Sequence, residues 1–246
     1  MKIKLFTLAL VACLVQVTSC AQCSNSQDES SSACDSTVVL APEMDSSDFV
    51  RIDEAVPDVI LEIRYYSTYN FIGDRIDGYE APVALMTREA AAALKRASDN
   101  LLKQGYRLKI FDAYRPQTAV NHFIRWAKEV DDIRMKEYFY PQVDKSKLFD
   151  LGFIAARSSH SRGSTVDLTL FDMKTGREVD MGAPFDWFGN ESYPDYPKLT
   201  KEQVRLRHVL RDAMLAEGFK PFTTEWWHFT LKDEPFPDTY FDFPVK

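Results

Sequence analysis

Six residues, Thr165-Val166-Asp167-Leu168-Thr169-Leu170, set the tightest limit on what this chain can become. Their β-branched and apolar content reads as a strand, and a carboxylate in the middle of a buried strand loses several kcal/mol of hydration unless something compensates it. Two partners stand close in sequence. Arg162 could pair with Asp167, or His160 could join it around a metal ion, because the six residues between them let the chain fold back through Gly163.

Composition narrows the setting. A length of 246 residues with 45% hydrophobic content suffices for one sizeable core. The formal charge of -7, without clustered Lys and Arg, excludes a nucleic-acid partner and leaves small cationic or zwitterionic ligands as the better fit. The chain opens with Lys2, Lys4 and an apolar run from Leu5 to Val17, which has signal-peptide length and is too short to span a bilayer. That run ends in Val17-Thr18-Ser19-Cys20, which resembles the lipobox of bacterial lipoproteins; an ordinary signal peptide cut nearby is the alternative. The expectation is a lipoprotein signal over residues 1–19, lipid on Cys20, a flexible Ser-rich acidic tether over 20–48 and a folded domain over 49–246. Such a protein is exported and held to a membrane by its lipid, facing the periplasm or the cell exterior.

All four cysteines, Cys13, Cys20, Cys23 and Cys34, precede the expected domain. Cys23 and Cys34 could pair or exchange partners, and neither choice reaches the core. With no thiolate in the folded part, imidazole and carboxylate must supply the ligands of any zinc ion there.

The remaining pattern predicts an α+β fold, a single compact domain with a central, mainly antiparallel sheet, flanking helices and the zinc site on the sheet. Helical spacing runs from Thr87 as N-cap to Gly105, from Gln117 to Val130, and from Lys201 to Glu217 with Val204, Leu210, Ala213 and Met214 facing inward. Strand patterns cover Leu108–Phe111, Val166–Leu170 and Trp226–Leu231. No internal repeat is present.

His122 and His208 fall within the helical patterns without a second ligand type at metal spacing, so both read as ordinary histidines. A second constellation is Glu225-Trp226-Trp227-His228-Phe229-Thr230-Leu231. Strand residues three apart point to opposite faces, so Glu225 and His228 serve one site only if Glu225 lies in the turn before the strand. His160, Asp167 and His228 then give three protein ligands and one open position, the pattern of catalytic zinc, with Glu225 unligated beside them. Zinc lowers the pKa of its water toward ~7, and a carboxylate in reach relays the proton to a leaving amine, which is the chemistry of amide hydrolysis. Such a site needs a fixed positive donor for the carbonyl oxygen. Arg115, in Ala113-Tyr114-Arg115-Pro116, is the candidate, since the proline stiffens the turn that aims it; a surface arginine at a helix start is the alternative.

Together SSHSRGSTVDLTL, FDAYRPQTAV, TEWWHFTLKDEP and the terminal YFDFPV closely resemble the VanX-type D-alanyl-D-alanine dipeptidases, zinc peptidases related to D-Ala-D-Ala carboxypeptidases, from about Asp53 to Lys246. The resemblance implies one zinc per chain on His160, Asp167 and His228, Glu225 as general base and acid, and Arg115 stabilising the tetrahedral intermediate. It further implies that Tyr65, Ser158 and Asp186 contact a small dipeptide, with Asp186 suited to its ammonium group. The chain departs from the family pattern at Thr165, where a small residue such as alanine is common. The lipobox is a second departure, because dipeptidases tied to glycopeptide resistance act on a pool inside the cell; export implies salvage or trimming of wall-derived dipeptide instead. A D,D-carboxypeptidase or endopeptidase acting on wall peptides, and a non-catalytic lipoprotein binding zinc or wall fragments, are the other readings. Capping of the site by the insertion Tyr138–Leu148 would favour the dipeptidase, and an intact Glu225 speaks against a pure binder.

Overall fold

A computed structural model describes residues 46–246. The expected signal segment, Cys20 and nearly all of the tether lie outside the described residues. In chain order the elements are β1 (Phe49–Arg51), α1 (Ile52–Ala55), β2 (Ile60–Leu61), β3 (Leu85–Thr87), α2 (Arg88–Leu102), β4 (Tyr106–Asp112), α3 (Gln117–Lys128), α4 (Lys136–Phe139), β5 (Thr165–Asp172), β6 (Arg177–Glu178), α5 (Lys201–Ala216), β7 (Phe219–Pro221) and β8 (His228–Leu231). The fold is α+β, as the sequence pattern predicts.

Five strands lie side by side in the order β2-β4-β5-β8-β7, and β6 adds to β5. The β2–β4 pair is parallel and the others are antiparallel. Strand β5 is the centre of this sheet. Residues Val166, Leu168 and Leu170 alternate with Thr165, Asp167 and Thr169, and all six are buried, so both faces of the strand are covered. Helix α2 packs on β4, while α5 packs on β5 and β7 and touches α2. Among the described residues no helix is long and apolar enough to cross a membrane.

Where the elements depart from the sequence pattern, a physical reason is visible. Val204 was expected to face inward, yet it is 36% exposed. The buried stripe of α5 runs through Leu206, Leu210, Ala213 and Met214, and a residue two positions from Leu206 lies on the opposite side of a helix. Thr87 does precede α2, but its hydroxyl shares a hydrogen bond with Ser164 Oγ at 2.8 Å rather than capping the helix. Helix α5 instead has a full capping box, with Thr200 Oγ1 accepting from Gln203 N and Gln203 Oε1 accepting from Thr200 N.

The last residues strap the sheet from outside. Phe241 N donates to Ser161 O, Gln117 N to Phe241 O and Val245 N to Gly78 O. Rings of Phe241 and Phe243 pack edge-on against Phe49, and Tyr114 donates its hydroxyl to Phe243 O at 2.9 Å. The terminal aromatic segment therefore holds the turn before β5 and the turn after β4 in register with each other.

Candidate active site

The turn that introduces β5 is a short 3-10 segment, Ser159–Arg162. Ser158 starts it, its hydroxyl accepting from His160 N at 3.3 Å, and Gly163 ends it at φ 82°. A Cβ at Gly163 would also stand 2.3 Å from the Phe49 ring, so both conformation and space require glycine. This turn lays His160 against the start of β5. Antiparallel register then pairs Asp167 with His228 across β5 and β8, which puts their side chains on one face.

Three side chains converge there. His160 Nε2 lies 3.2 Å from Asp167 Oδ2, His228 Nδ1 lies 3.2 Å from Asp167 Oδ1, and the two ring nitrogens are 3.2 Å apart. A tetrahedral ion with bonds of about 2.0–2.1 Å needs ligand atoms about 3.3 Å apart, which the two nitrogens match, and one ligand atom from each of the three residues lies within 4.8 Å of the others. The other nitrogens are committed elsewhere. His160 Nδ1 donates to Ala113 O at 2.7 Å, which leaves Nε2 as the lone-pair nitrogen, and His228 Nε2 meets Ser159 Oγ at 3.2 Å. Asp167 Oδ1 is buried without a hydrogen-bonded donor; its approach to His228 is short but lacks hydrogen-bond geometry. A buried carboxylate with one oxygen beside each imidazole nitrogen is a set of atoms suited to a divalent cation.

The electrostatics agree. Burial pushes the Asp167 carboxyl up, but His160 and His228 outweigh it and hold it well below the usual carboxylate range. Burial disfavours charge on His228, and Asp167 and Glu225 overcome that to raise its pKa to about 9. Glu225 sits in the turn before β8, as its spacing from His228 requires, with Oε2 3.4 Å from His228 Nδ1 and a side chain 31% exposed.

Arg115 is no surface residue. Its side chain is 12% exposed, Nε donates to Asp112 Oδ2 at 2.9 Å, Nη2 approaches Asp167 Oδ2 at 3.4 Å, and the guanidinium lies 4.9 Å from the Tyr65 ring centre. Arg162, the other possible partner of Asp167, pairs with Glu234 instead. Asp186 is buried at a positive φ of 60°, an uncommon conformation for a residue with a side chain, and accepts the Tyr65 hydroxyl at 3.0 and 3.2 Å. Burial, reinforced by the charge of Asp167, pushes the Asp186 carboxyl well above the usual range. Burial also keeps the Tyr65 phenol from ionising, so it remains a donor. The Asp186 loop is held by Arg207, whose guanidinium donates to the carbonyls of Met181, Glu191, Tyr193 and Pro194.

All eight residues singled out in the folded part, His160, Asp167, His228, Glu225, Arg115, Tyr65, Ser158 and Asp186, line one cavity of about 670 Å³. His122 accepts from Asp77 N at 3.1 Å and His208 is exposed on α5, so neither joins it. The insertion Tyr138–Leu148 does not line the cavity; the residues just after it, Leu151–Ala155, do. Thr165 directs its hydroxyl to Thr230 Oγ1 at 2.9 Å across the strands, which accommodates the larger residue behind Asp167. Sequence reasoning passed over Asp112 and Ser159. Asp112, a carboxylate closing the apolar strand end Ile110-Phe111, carries the same buried-acid signal as Asp167 and was within reach of the same argument.

Comparison with known proteins gives the family context. A family model described as D-ala-D-ala dipeptidase, Peptidase_M15, matches residues 45–246. A protein of Streptomyces coelicolor named D-alanyl-D-alanine dipeptidase is 42% identical over 200 residues, covering 81% of this chain and 99% of its own. Proteins of the same name from Enterococcus faecium and Escherichia coli are 40% and 32% identical, over 80% and 76% of this chain and 98% and 86% of theirs.

Proposed function

The chain belongs to the D-ala-D-ala dipeptidase family of peptidases, and from that premise we propose that it hydrolyses free D-Ala-D-Ala to two molecules of D-alanine. The observation that carries the reading is the convergence of His160, Asp167 and His228, each imidazole nitrogen 3.2 Å from an oxygen of Asp167, with Glu225 beside them. Those three residues would hold one zinc ion, which when bound supplies Lewis acidity to water and to the scissile carbonyl alike. Glu225 takes a proton from the attacking water and delivers it to the leaving amine as the C–N bond breaks. Arg115 offers a buried positive charge to the carbonyl oxygen as it becomes anionic. Asp186 receives the substrate ammonium, and the Tyr65 hydroxyl orients that carboxylate. An arriving cation favours the ionised form of a carboxyl that burial otherwise keeps protonated, so this end of the cavity is selective for a free amine. Ser158, whose oxygen is already used by His160 N, retains its hydroxyl hydrogen for the substrate.

The size of the cavity, about 670 Å³, also supports a second reading, cleavage of longer wall peptides by a D,D-carboxypeptidase or endopeptidase. The lipobox-like Val17-Thr18-Ser19-Cys20 supports export and lipid anchoring through Cys20, hence salvage or turnover of dipeptide released from the wall. Purified chain with zinc, offered D-Ala-D-Ala, L-Ala-L-Ala, N-acetyl-D-Ala-D-Ala and a wall pentapeptide, should release alanine from the first alone. Equal turnover of the acetylated dipeptide or the pentapeptide would replace the dipeptidase by the carboxypeptidase.

A further inference from the structure

We propose that Asp112 is the positioning residue of the site, a carboxylate that fixes the guanidinium of Arg115 and is itself fixed by the Tyr79 hydroxyl. The inference rests on the role given to Arg115 above. Its structural basis begins in β4, where the ladder with β5 shifts between Ile110 and Asp112, so that Ile110 opposes Leu168 while Asp112 opposes Asp167. Two β4 steps against one β5 step make a bulge, and a bulge re-aims the side chain that follows it. Asp112 is thereby brought to the site, where it is 1% exposed.

Its two oxygens have separate tasks. Oδ1 accepts the Tyr79 hydroxyl at 2.6 Å, and Oδ2 accepts Arg115 Nε at 2.9 Å. Tyr79 is itself buried, packed edge-on against Tyr65, and tied through its backbone bridge to Val245. With Nε held by Asp112 and Nη2 near Asp167, the plane of the guanidinium is set at two points. Asp167 is committed to the metal in the proposed function. Asp112 is the carboxylate hydrogen-bonded to Arg115, although its Oδ2 also stands 3.6 Å from His160 Nδ1, which is why zinc content is measured beside kcat in the test; a donor held before reaction needs no reorganisation when the oxyanion forms.

The test is a double-mutant cycle in the full zinc-loaded chain. Asp112→Asn should lower kcat for D-Ala-D-Ala by at least about tenfold, with KM changed less than about threefold and zinc content still stoichiometric. Introduced into Arg115→Ala, the same change should cost less than about threefold, because the group it positions is gone. Tyr79→Phe should show a smaller loss of the same kind, and serves alone if Asp112→Asn does not fold. Equal losses in both backgrounds, or an unchanged kcat in Asp112→Asn, overturn the inference while leaving Arg115 in place. If Arg115→Ala keeps wild-type kcat, the role of Arg115 falls and this inference with it.

Discussion

At one end of the cavity, His160, Asp167 and His228 come from a 3-10 turn and two hydrogen-bonded strands, in a register that pairs Asp167 with His228 directly. At the other end, Asp186 sits in a loop at a positive φ, oriented by a tyrosine hydroxyl 121 residues away and by the four carbonyls that Arg207 gathers. The first arrangement is rigid because the sheet ladder fixes it; the second exists only while long-range contacts hold a strained backbone. In the proposed function, chemistry that tolerates little displacement falls to the sheet, and recognition of the substrate amine falls to the loop.

Mutation should separate the two ends. The largest effect belongs to the sheet: His160→Ala or His228→Ala should lose stoichiometric zinc and, with it, activity by more than the 10–100-fold that outer partners of a metal typically carry. Zinc surviving dialysis in both variants, by elemental analysis, would mean that these are not the ligands. At the loop end, Asp186→Asn should keep zinc and raise KM for D-Ala-D-Ala by about tenfold or more, with kcat changed far less, since a charge-assisted contact is worth about 1.5–3 kcal/mol. A fall in kcat without a KM change would place Asp186 in the chemistry and erase the division.

The smallest effect is one of pH. His228 in the metal-free chain has its pKa raised from 6.5 to about 9, so its protonated form stabilises that fold. This contribution is fully present below about 6.5 and is lost as pH rises through about 9. Zinc requires the neutral ring, so uptake at pH 7 should release about one proton, and zinc affinity should rise about tenfold per pH unit up to about 9. Uptake without proton release, followed with a pH indicator in weak buffer, would mean that His228 is already neutral.

The same contrast explains what was legible in the sequence. Asp167 could be read because a lone acid inside an apolar strand demands a partner, and Glu225 and His228 because strand geometry restricts how residues three apart can meet. Both arguments are local. The family likeness, not the local pattern, brought in Tyr65 and Asp186, whose hydrogen bond joins segments far apart in sequence. Asp112, an acid ending the apolar Ile110-Phe111, was open to the same argument as Asp167; only its direction toward Asp167, set by the bulge, has no mark in a single strand's pattern. Leu151–Ala155, rather than Tyr138–Leu148, reaches the cavity because loop packing, not loop length, decides what a segment covers. Val204 shows the limit of reading an inward face from apolar residues alone, because the buried stripe through Leu206, Leu210, Ala213 and Met214 leaves it on the far side of the helix.

The central claim is that Glu225 moves the proton while three other residues hold the metal. Measuring zinc content and turnover of D-Ala-D-Ala together in Glu225→Ala tests it most directly. The account predicts one zinc per chain, as in the unaltered protein, with kcat lower by at least ~10². Turnover close to that of the unaltered protein, or loss of zinc along with activity, would contradict it.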